Sequence, residues 1–565
     1  MRFIYSLIVL LLITSFSYSQ TSFSNPDYGK PDVTFTSSNL PIIVIDTHGQ
    51  NIKDEPKIIA DMGIIFNGEG KINYLTNQFN DYKGKVGIEI RGSSSQQFPK
   101  KQYGFETYDS LGNDTDVSIL GMPSEGDWIL SASYNDKTLM RDVLSFKLSN
   151  AMGRYASRSR YCELVLNGQY MGVYIVFEKI KRNKNRVNVT KMSTADSTGD
   201  ALTGGYIIKV DKDEGSDNGG WLSTFPPVAG STRQLYFQFH YPKPTDISRP
   251  QATYIRNYFY SFESKMNSTS FNDSLTGYPK YIDINSFLDI VILNELSKNV
   301  DGYRLSSFMA KDRDSKGGKI VFGPIWDLNF GFGNANYYNA SVIDGWYIDF
   351  LTTNQSFLSM DGFQAPFWWK KLFKDPKIQK ALIERWTNFR RTVINTTYIY
   401  KQIDSITTLI DAPQKRNFEK WPILGTYVWP NAYYFKGETY QDQVYYLKGW
   451  IRDRINWIDK ALGVTDAQDD KSISVPESYK LSQNYPNPFN PSTRIEYLLA
   501  KEGFVHLKIF DVLGKEIATL IEEQKPAGSY TIDFDAAKYH LNSGIYFYRL
   551  QCNEFSAVNK FILLK

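Results

Sequence analysis

The 565-residue sequence is poor in the residues that most often build metal centres, disulfides and nucleophilic triads. Its two cysteines, Cys162 and Cys552, lie far apart, so each is expected to be a small buried side chain rather than half of a disulfide. None of its four histidines stands at a metal-ligand spacing from another, which argues against a histidine zinc site and a Ser-His-Asp hydrolase. The formal net charge of +4 is small for this length and gives no reason to expect nucleic-acid binding.

Long hydrophobic runs are also scarce, and the one that stands out is at the N-terminus. Met1 and Arg2 precede an apolar run over residues 3–16, and Ser17 and Ser19 supply the small residues before a cut after position 19. This pattern predicts a secretory signal peptide over residues 1–19. No later segment reaches the ~18 uncharged apolar residues that a membrane span needs, so we expect an exported protein without a transmembrane segment.

The rest of the chain predicts an α+β protein with several parts. Residues 20–80 are rich in predicted strands, at 40–46 and 58–65. Residues 81–463 mix strands with helices, and Asn167-Gly168 predicts a tight hairpin turn. Residues 464–480 form a polar linker, and residues 481–565 alternate in short strands that predict a small all-β sandwich. Helices are predicted at 139–152, 280–300, 366–395 and 441–462.

Two segments contain acidic residues whose order and spacing indicate a catalytic site. In the stretch that runs from Gly323 to Gly333, Asp327 and Asn329 are two residues apart. In an extended segment, such side chains face the same way, so the pair can hold a hard cation such as Mg²⁺. About two dozen residues upstream, Asp301 follows a predicted helix. An acid that handles a hydroxyl, followed by an acid that holds metal, is the order found in protein kinases. The alternative for Asp301 is a simple helix cap.

A small-residue loop follows the predicted strand at 87–91. Arg91 and Ser93 belong to this loop, which is typical of a segment that brings backbone N–H groups close to phosphate, although it could be only a turn. Lys100 and Lys101 begin the next strand, where a kinase keeps the lysine that pairs with phosphate. Adjacent strand residues face opposite sides, so one lysine is expected in the cleft, with Lys101 favoured. The alternative is that both are surface charges.

Residues ~85–460 resemble the CotH kinase family of secreted atypical protein kinases. The resemblance rests on Arg91-Gly-Ser-Ser-Ser with Pro99-Lys-Lys, on Asp127-Trp-Ile-Leu with Leu139-Met-Arg, on the hairpin that begins at Glu163 and ends in Glu178, and on Trp326-Asp327. It implies a two-lobed, protein-kinase-like fold with ATP and Mg²⁺ or Mn²⁺ bound between the lobes. The implied roles are catalytic for Asp301 and Lys101, metal-binding for Asp327 and Asn329, and nucleotide-binding for Arg91, Ser93, Lys100, Lys101, Arg141 and Glu178.

Several of these assignments have alternatives. Arg141 could instead form a surface salt bridge, and Glu178 could be structural or bind ribose. Asp211, which ends a strand near the expected lobe junction, is treated as structural with a smaller chance of a site role. The chain departs from many kinases in having Ser306 five residues after Asp301, where an Asn often holds a second metal. It also has the neutral Asn329 where the family often has an acid, which should lower metal affinity.

Residues 484–565 resemble the type A C-terminal sorting domain of the type IX secretion system. The resemblance rests on the proline-rich motif at 485–491, on Phe510-Asp-Val-Leu-Gly, on the motif at 541–548 and on the final Lys565. It implies passage through the type IX machinery and a secreted or cell-surface location. The alternative is a generic carbohydrate-binding β-sandwich.

Together these features predict a secreted, metal-dependent kinase that transfers phosphate from ATP to Ser or Thr of surface or exported proteins. The competing hypothesis is a catalytically inactive kinase-fold adhesin or scaffold. Asn329 and Ser306 favour the second hypothesis, whereas the presence of Asp301, Asp327 and Lys101 favours the first.

Overall fold

The computed structural model describes residues 33–212, 219–432, 435, 437–464, 479–484, 487–525 and 528–564. The chain divides into two compact units, one up to residue 465 and one from residue 466 to the end. The predicted signal peptide and most of the predicted linker lie outside the described residues. Both cysteines are buried and free, as expected from the sequence.

The first unit begins with strands that close into a barrel. The strands of this region are β1 (Ser37–Ser38), β2 (Ile42–Asp46), β3 (Ile58–Ile65), β4 (Asn73–Tyr74), β5 (Tyr82–Ile90), β6 (Tyr103–Tyr108), β7 (Asp127–Ser131), β8 (Ser159–Leu166) and β9 (Gln169–Glu178). Strands β1 and β4 pair with each other in a separate two-stranded sheet. Barrel order is β2-β3-β5-β6-β7-β9-β8, and the parallel pairing of β2 with β8 closes it. The predicted strands of the 20–80 segment are therefore part of the same barrel as strands from beyond residue 80.

Alternating apolar residues fill this barrel. Ile43, Ile88 and Trp128 belong to its buried core. Strands β8 and β9 form the predicted hairpin, in which Leu166 pairs with Gln169 across Asn167 and Gly168. Both turn residues have positive φ, 50° and 77°, which is the conformation that Asn-Gly favours in two-residue hairpins. Helix α1 (Arg141–Ala151) lies between β7 and β8 and confirms the helix predicted there.

A second, antiparallel sheet follows the barrel. Its strands are β10 (Tyr206–Val210), β11 (Gly220–Leu222), β12 (Tyr236–Tyr241), β13 (Ser307–Lys311) and β14 (Ile320–Phe322), in the order β11-β12-β10-β13-β14. Val210 pairs with Ser307 at the last register position of β10 and β13. Because the strands are antiparallel, Asp211 and Ser306 leave the sheet side by side.

Helices make up most of the remainder of this unit. They are α2 (Gly199–Leu202), α3 (Arg249–Asn267), α4 (Ile284–Ser297), α5 (Tyr347–Thr353), α6 (Gln355–Met360), α7 (Phe367–Phe373), α8 (Pro376–Arg390), α9 (Thr396–Leu409), α10 (Asp411–Lys420) and α11 (Tyr440–Leu462). Helix α4 is buried along nearly its whole length and belongs to the large core of the unit. Among the described residues, no helix is long and apolar enough to cross a membrane.

The sequence correctly predicts α4 and α11, but the single helix predicted over 366–395 is wrong. Asp375 ends the first part and caps α8 by accepting hydrogen bonds from the N–H groups of Lys377 and Ile378. Pro376 occupies the first position of α8, where its missing N–H costs nothing. The chain therefore forms two helices, α7 and α8, from one amphipathic stretch.

The second unit is all-β, as predicted. Its strands are β15 (Lys480–Leu481), β16 (Ser492–Leu499), β17 (Gly503–Phe510), β18 (Glu516–Lys525), β19 (Gly528–Asp535), β20 (Gly544–Cys552) and β21 (Phe555–Leu563). They form a three-stranded sheet, β15-β16-β19, and a four-stranded sheet, β18-β17-β20-β21. Leu507, Tyr548 and Phe561 belong to the one apolar core that both sheets share.

Candidate functional site

The segment after β14 places Asp327 in an unusual backbone conformation. Its φ is 54°, in the left-handed region, so the extended geometry expected for Asp327 and Asn329 is wrong. Such a conformation costs a non-glycine residue about 1–3 kcal/mol, although aspartate adopts it more readily than most residues, and such strained positions cluster at functional sites. Two contacts hold it: the Leu328 N–H donates to Asp142 Oδ1 at 2.8 Å, and Ser306 Oγ donates to Asp327 Oδ2 at 3.0 Å.

Ser306 joins two acidic residues that are far apart in the sequence. Besides its contact with Asp327, its N–H donates to Asp211 Oδ1 at 3.3 Å. Ser306 itself has a left-handed φ of 46°. The neighbouring ends of β10 and β13 therefore bring Asp211 to the side of Asp327. The sequence alone gives Asp211 only a smaller chance of a role in the site.

The negative charge of the cluster formed by Asp211, Ser306 and Asp327 is only partly balanced. Asp327 is exposed but closely surrounded, and loss of hydration together with the charges of Asp211 and Asp301 raises its pKa to about 6. The Arg91 guanidinium and the Ser306 hydrogen bond act in the opposite direction. Burial, and then the charge of Asp327, raises the pKa of Asp142 to about 8. A surplus of negative charge at this position favours a bound cation.

Asp142 is a site residue that sequence reasoning missed. It lies in the first turn of α1, directly after Arg141, and is 9% exposed. An acid in the first turn of a helix is usually explained by the helix dipole, so no local signal set it apart. Only the folded chain shows that its carboxylate supports the backbone after Asp327.

The small-residue loop lies against this acidic cluster. The Arg91 guanidinium lies 5.8 Å from the Trp326 ring centroid, and burial lowers its pKa although the charge of Asp327 opposes that change. Ser93 Oγ accepts a hydrogen bond from Lys212 Nζ at 3.3 Å. Gly92 has a φ of +102°, and a Cβ there would lie 2.0 Å from Ser95 Oγ. A side chain at this position would be strained by the positive φ and would crowd Ser95, so the turn favours glycine.

Asp301 belongs to an ion-pair network beside the cluster. Arg304, which is 4% exposed, donates to Asp301 at 3.0 Å and to Asp361 at 3.3 Å. The Asp301 side chain remains 20% exposed. Burial raises its pKa, with Asp211 and Asp361 adding to the rise and Arg304 opposing it. The negative charge of Asp301 also adds to the raised pKa of Asp327, the predicted metal ligand.

Lys100 and Lys101, the two lysines predicted to bind phosphate, contact different parts of the structure. Lys100 is buried, donates to the Val173 carbonyl at 2.5 Å and to Asn417 Oδ1 at 2.9 Å, and lies over the Tyr174 ring. Burial lowers its pKa to about 7. Its partners belong to β9 and α10 rather than to the acidic cluster. Lys101 instead donates to the Gln96 carbonyl of the small-residue loop at 2.5 Å.

Arg141 is placed in a buried ion pair rather than among the acidic side chains around Ser306. Its guanidinium donates to Asp136 Oδ1 at 2.5 Å, and its Nε has no hydrogen-bond partner among the described residues. Asp136 also accepts the N–H groups of Met140 and Arg141, so the pair holds the start of α1.

Glu178 is also placed in a buried ion pair. It is fully buried and accepts hydrogen bonds from Arg158 and from the Tyr155 hydroxyl. These contacts hold the end of β9.

Asn329 is held by a network of buried amides. Its Nδ2 donates to Asn135 Oδ1 at 3.3 Å, which leaves its carbonyl oxygen as a possible metal ligand. Asn334 and Asn431 both donate to the Asn135 carbonyl, at 3.2 and 2.7 Å. Within the described part of the chain, no three His, Cys, Asp or Glu side chains are grouped so as to hold a metal by themselves.

Comparisons with known proteins agree with the sequence resemblances. The CotH kinase protein family model matches residues 88–458, about two thirds of the chain. The inner spore coat protein H of Bacillus subtilis (strain 168) is 24% identical over 143 residues, which cover 25% of this chain and 35% of that protein. The secretion system C-terminal sorting domain model matches residues 483–564 and implies handling by the type IX secretion system and export to the surface or beyond. Because the first family model spans more than half of the sequence, the chain belongs to the CotH kinase protein family.

Proposed function

We propose that the chain is a secreted, metal-dependent protein kinase that transfers the γ-phosphate of ATP to Ser or Thr of surface or exported proteins. The observation that carries this proposal is the cluster in which Ser306 joins Asp211 to Asp327, where the charges of Arg91 and Asp301 also act on Asp327. Phosphoryl transfer requires mainly positioning and charge neutralisation, and this cluster offers acids for a metal and cations for phosphate.

The arrangement of the first unit is compatible with a kinase-like pair of lobes. The barrel with α1 would be the nucleotide lobe, since it carries the loop with Arg91 and Ser93. The helices from α4 onward would form the acceptor lobe, because Asp301 follows α4. Asp327 would then lie at the junction, where its backbone is held by Asp142 from α1.

The acidic cluster fits a divalent cation that is completed by phosphate. Mg²⁺ is usually held by one or two carboxylates together with substrate phosphates and water, so a set of three protein acids is not required. Asp327 would be the main ligand, with Asn329 or Asp211 as a second oxygen donor. The cation would supply charge neutralisation for the phosphates, and its presence would lower the raised pKa of Asp327.

Asp301 would act on the acceptor. Its carboxylate would accept the proton of the Ser or Thr hydroxyl as the new O–P bond forms and the bond from the γ-phosphorus to the ADP oxygen breaks. Arg304 fixes the orientation of Asp301 by a charge-assisted hydrogen bond at 3.0 Å. The raised pKa of Asp301 makes it a better proton acceptor than an ordinary aspartate.

The test is transfer of labelled γ-phosphate from ATP, with Mg²⁺ or Mn²⁺, to protein acceptors from the same secretion pathway. We expect Asp327→Asn to lower transfer by at least about 100-fold, as loss of one essential charged group usually does. Asparagine tolerates the left-handed φ of this position better than alanine, so the variant should keep the backbone. The matched control is Glu384→Gln, which neutralises an exposed acid on α8. Equal transfer by both variants would contradict the proposal.

The inactive adhesin or scaffold remains the second candidate, and Asn329 is the observation that favours it. A neutral amide replaces an acid there, and its nitrogen is already bonded to Asn135. Calorimetric titration with ATP and Mg²⁺ separates the candidates. Nucleotide binding without transfer to any acceptor, or no binding at all, would support the scaffold, whereas binding that Asp327→Asn abolishes together with transfer supports the kinase.

A further inference from the structure

A groove with a volume of about 900 Å³ lies where the segment after β11, the end of α3 and helix α7 meet. This size is typical of concave sites that bind a ligand or several side chains of a partner. None of the described residues that line the groove belongs to the acidic cluster around Ser306. Because Lys370, Lys371 and Lys374 line it, we call it the basic groove.

The segment after β11 supplies an apolar wall to the groove. Phe225 begins this wall and packs against Phe367 of α7 with ring centroids 5.8 Å apart. Residues 226–229 continue it with two prolines, a valine and an alanine. Proline fixes its own φ, so this wall loses little conformational entropy when a partner covers it.

Lys371 brings a positive charge into the groove without a matching acid among the described residues. Its Nζ donates to the Ser268 carbonyl at 3.2 Å and lies 4.5 Å from the Phe271 ring centroid. Burial lowers its pKa, and none of the described acids opposes that change. An ammonium group has three N–H donors, so Lys371 can still donate to an anionic partner.

Lys370 and Lys374 add further positive charge. Their Nζ atoms lie 3.8 and 2.9 Å from carboxylate oxygens of the same acid, Asp349 of α5. A single carboxylate therefore serves two lysines. Since the Lys374 side chain is 52% exposed, solvent access to its ammonium group is open to a partner as well.

The other charged residues around the groove do not reverse this excess. Asp375 is 2% exposed and caps the start of α8. Lys377 donates at 3.0 Å to the carbonyl of Asn272, a lining residue. Hydrogen bonds from the following loop, and then the charge of Lys265, lower the pKa of the neighbouring Asp273. Lysines thus outnumber acids around the groove, which favours an anionic partner.

The uncharged groups of the groove favour a peptide among the possible anions. Asn267, Asn272 and Thr352 line it together with the apolar wall. Their amide and hydroxyl groups can pair with peptide N–H and C=O groups, whereas a lipid tail would leave them unmatched. A free phosphate ion would leave the apolar wall uncovered. The apolar side chains line a concave site, which a flat membrane surface would not fill.

We propose that the basic groove is a docking site for a partner protein, which inserts a segment that carries Asp or Glu beside an apolar side chain. The carboxylate would accept hydrogen bonds from Lys371 and Lys374, and the apolar side chain would cover the wall that begins at Phe225. This binding requires no phosphate transfer, so the proposal does not depend on the proposed kinase function.

The test measures binding of fluorescein-labelled peptide pools to the full chain by fluorescence anisotropy, without nucleotide. The acidic–apolar pool alternates Asp or Glu with Leu, Ile or Phe. In the amide pool Asn or Gln replaces the acids, in the basic pool Lys or Arg replaces them, and in the polar pool Ser replaces the apolar residues. We expect the acidic–apolar pool to bind at least about 10-fold more tightly than each other pool, as a hydrogen bond between charged groups allows.

Two variants and a control locate the binding. Lys371→Met keeps the aliphatic part that packs on Phe271 but removes the charge, so it should weaken binding of the acidic–apolar pool about 10-fold. Lys374→Gln should weaken it a few-fold, and because Lys374 is exposed, this variant tests the groove even if Lys371→Met does not fold. Lys401→Met neutralises an exposed lysine on α9 and should leave binding unchanged.

Several results would overturn the proposal. They are equal binding of the acidic–apolar and amide pools, preference for the basic pool, and an affinity that both groove variants retain. Binding of none of the pools would also overturn it, and binding of phosphatidylglycerol vesicles in their place would assign the groove to a lipid headgroup. The expected peptide preference without any phosphate transfer would contradict the kinase function alone.

Discussion

Replacement of Asp142 by asparagine should make the first unit more stable, because its carboxyl is buried beside like charges. Burial and the charges of Asp327 and Asp136 raise the pKa of Asp142 from 3.8 to about 8. Between these values the folded chain keeps a proton that the unfolded chain has released, so stability falls as the pH rises through this range. One pKa unit corresponds to about 1.4 kcal/mol, which sets an upper limit of about 4 kcal/mol at pH 7.

The amide of Asp142→Asn keeps the shape and the oxygen that accepts the Leu328 N–H, but it cannot ionise. We expect the free energy of unfolding to rise by about 2 kcal/mol at pH 7. This is half of the upper limit, because solvent near the exposed Asp327 screens part of the repulsion. For a unit of about 430 residues, an unfolding entropy of about 2.1 cal/mol/K per residue converts this gain into a rise in Tm of about 2 °C.

Differential scanning calorimetry of the full chain from pH 4.5 to 8 measures this effect directly. The difference in Tm between Asp142→Asn and the parent should grow with pH and nearly vanish at pH 4.5. Glu384→Gln serves as the control for removal of an exposed acid. A variant that is less stable than the parent at pH 7.5, or a difference that does not depend on pH, would refute the reasoning about the buried carboxyl.

Two further predictions concern the metal and the loop. Because the pKa of Asp327 is raised to about 6, the rise in Tm on addition of Mg²⁺ and ATP should be large at pH 7.5 and should shrink progressively as the pH falls below 6. A rise that is equal at pH 7.5 and pH 5 would contradict Asp327 as the main ligand. Gly92→Ala should lower the Tm and weaken ATP binding, because φ is +102° and the new Cβ would crowd Ser95. Gly112→Ala, with a positive φ but open space, is the control, and nucleotide binding equal to that control would count against the loop's role.

Much of the fold follows from local sequence signals. The Asn167-Gly168 hairpin and helices α4 and α11 were predictable because their turn and cap residues agree with the surrounding apolar pattern. Asp375 and Pro376 are also a sequence signal for the break between α7 and α8. The continuous amphipathic pattern across both helices nevertheless led to the prediction of a single helix. Closure of the barrel depends on the pairing of β2 with β8, about 120 residues apart, which local patterns do not determine.

The candidate site was only partly predictable for the same reason. The motif around Trp326-Asp327 predicts a functional acid, and the order of Asp301 and Asp327 suggests their roles. Asp211 lies close to Asp327 because of the register between β10 and β13. Asp142 reaches the segment after β14 because α1 packs against that segment. The positions of Lys100 and Arg141 are set by long-range hydrogen bonds and burial, so sequence spacing could not show which polar partners they would meet.

The most direct test of the proposed kinase is transfer of labelled γ-phosphate to acceptor protein by the parent, by Asp327→Asn and by Glu384→Gln, with Mg²⁺ or Mn²⁺. We expect labelled acceptor from the parent and from Glu384→Gln, and at least about 100-fold less from a folded Asp327→Asn. Labelling that is independent of metal, or that survives in Asp327→Asn, would contradict the assignment of this cluster as the site of phosphate transfer.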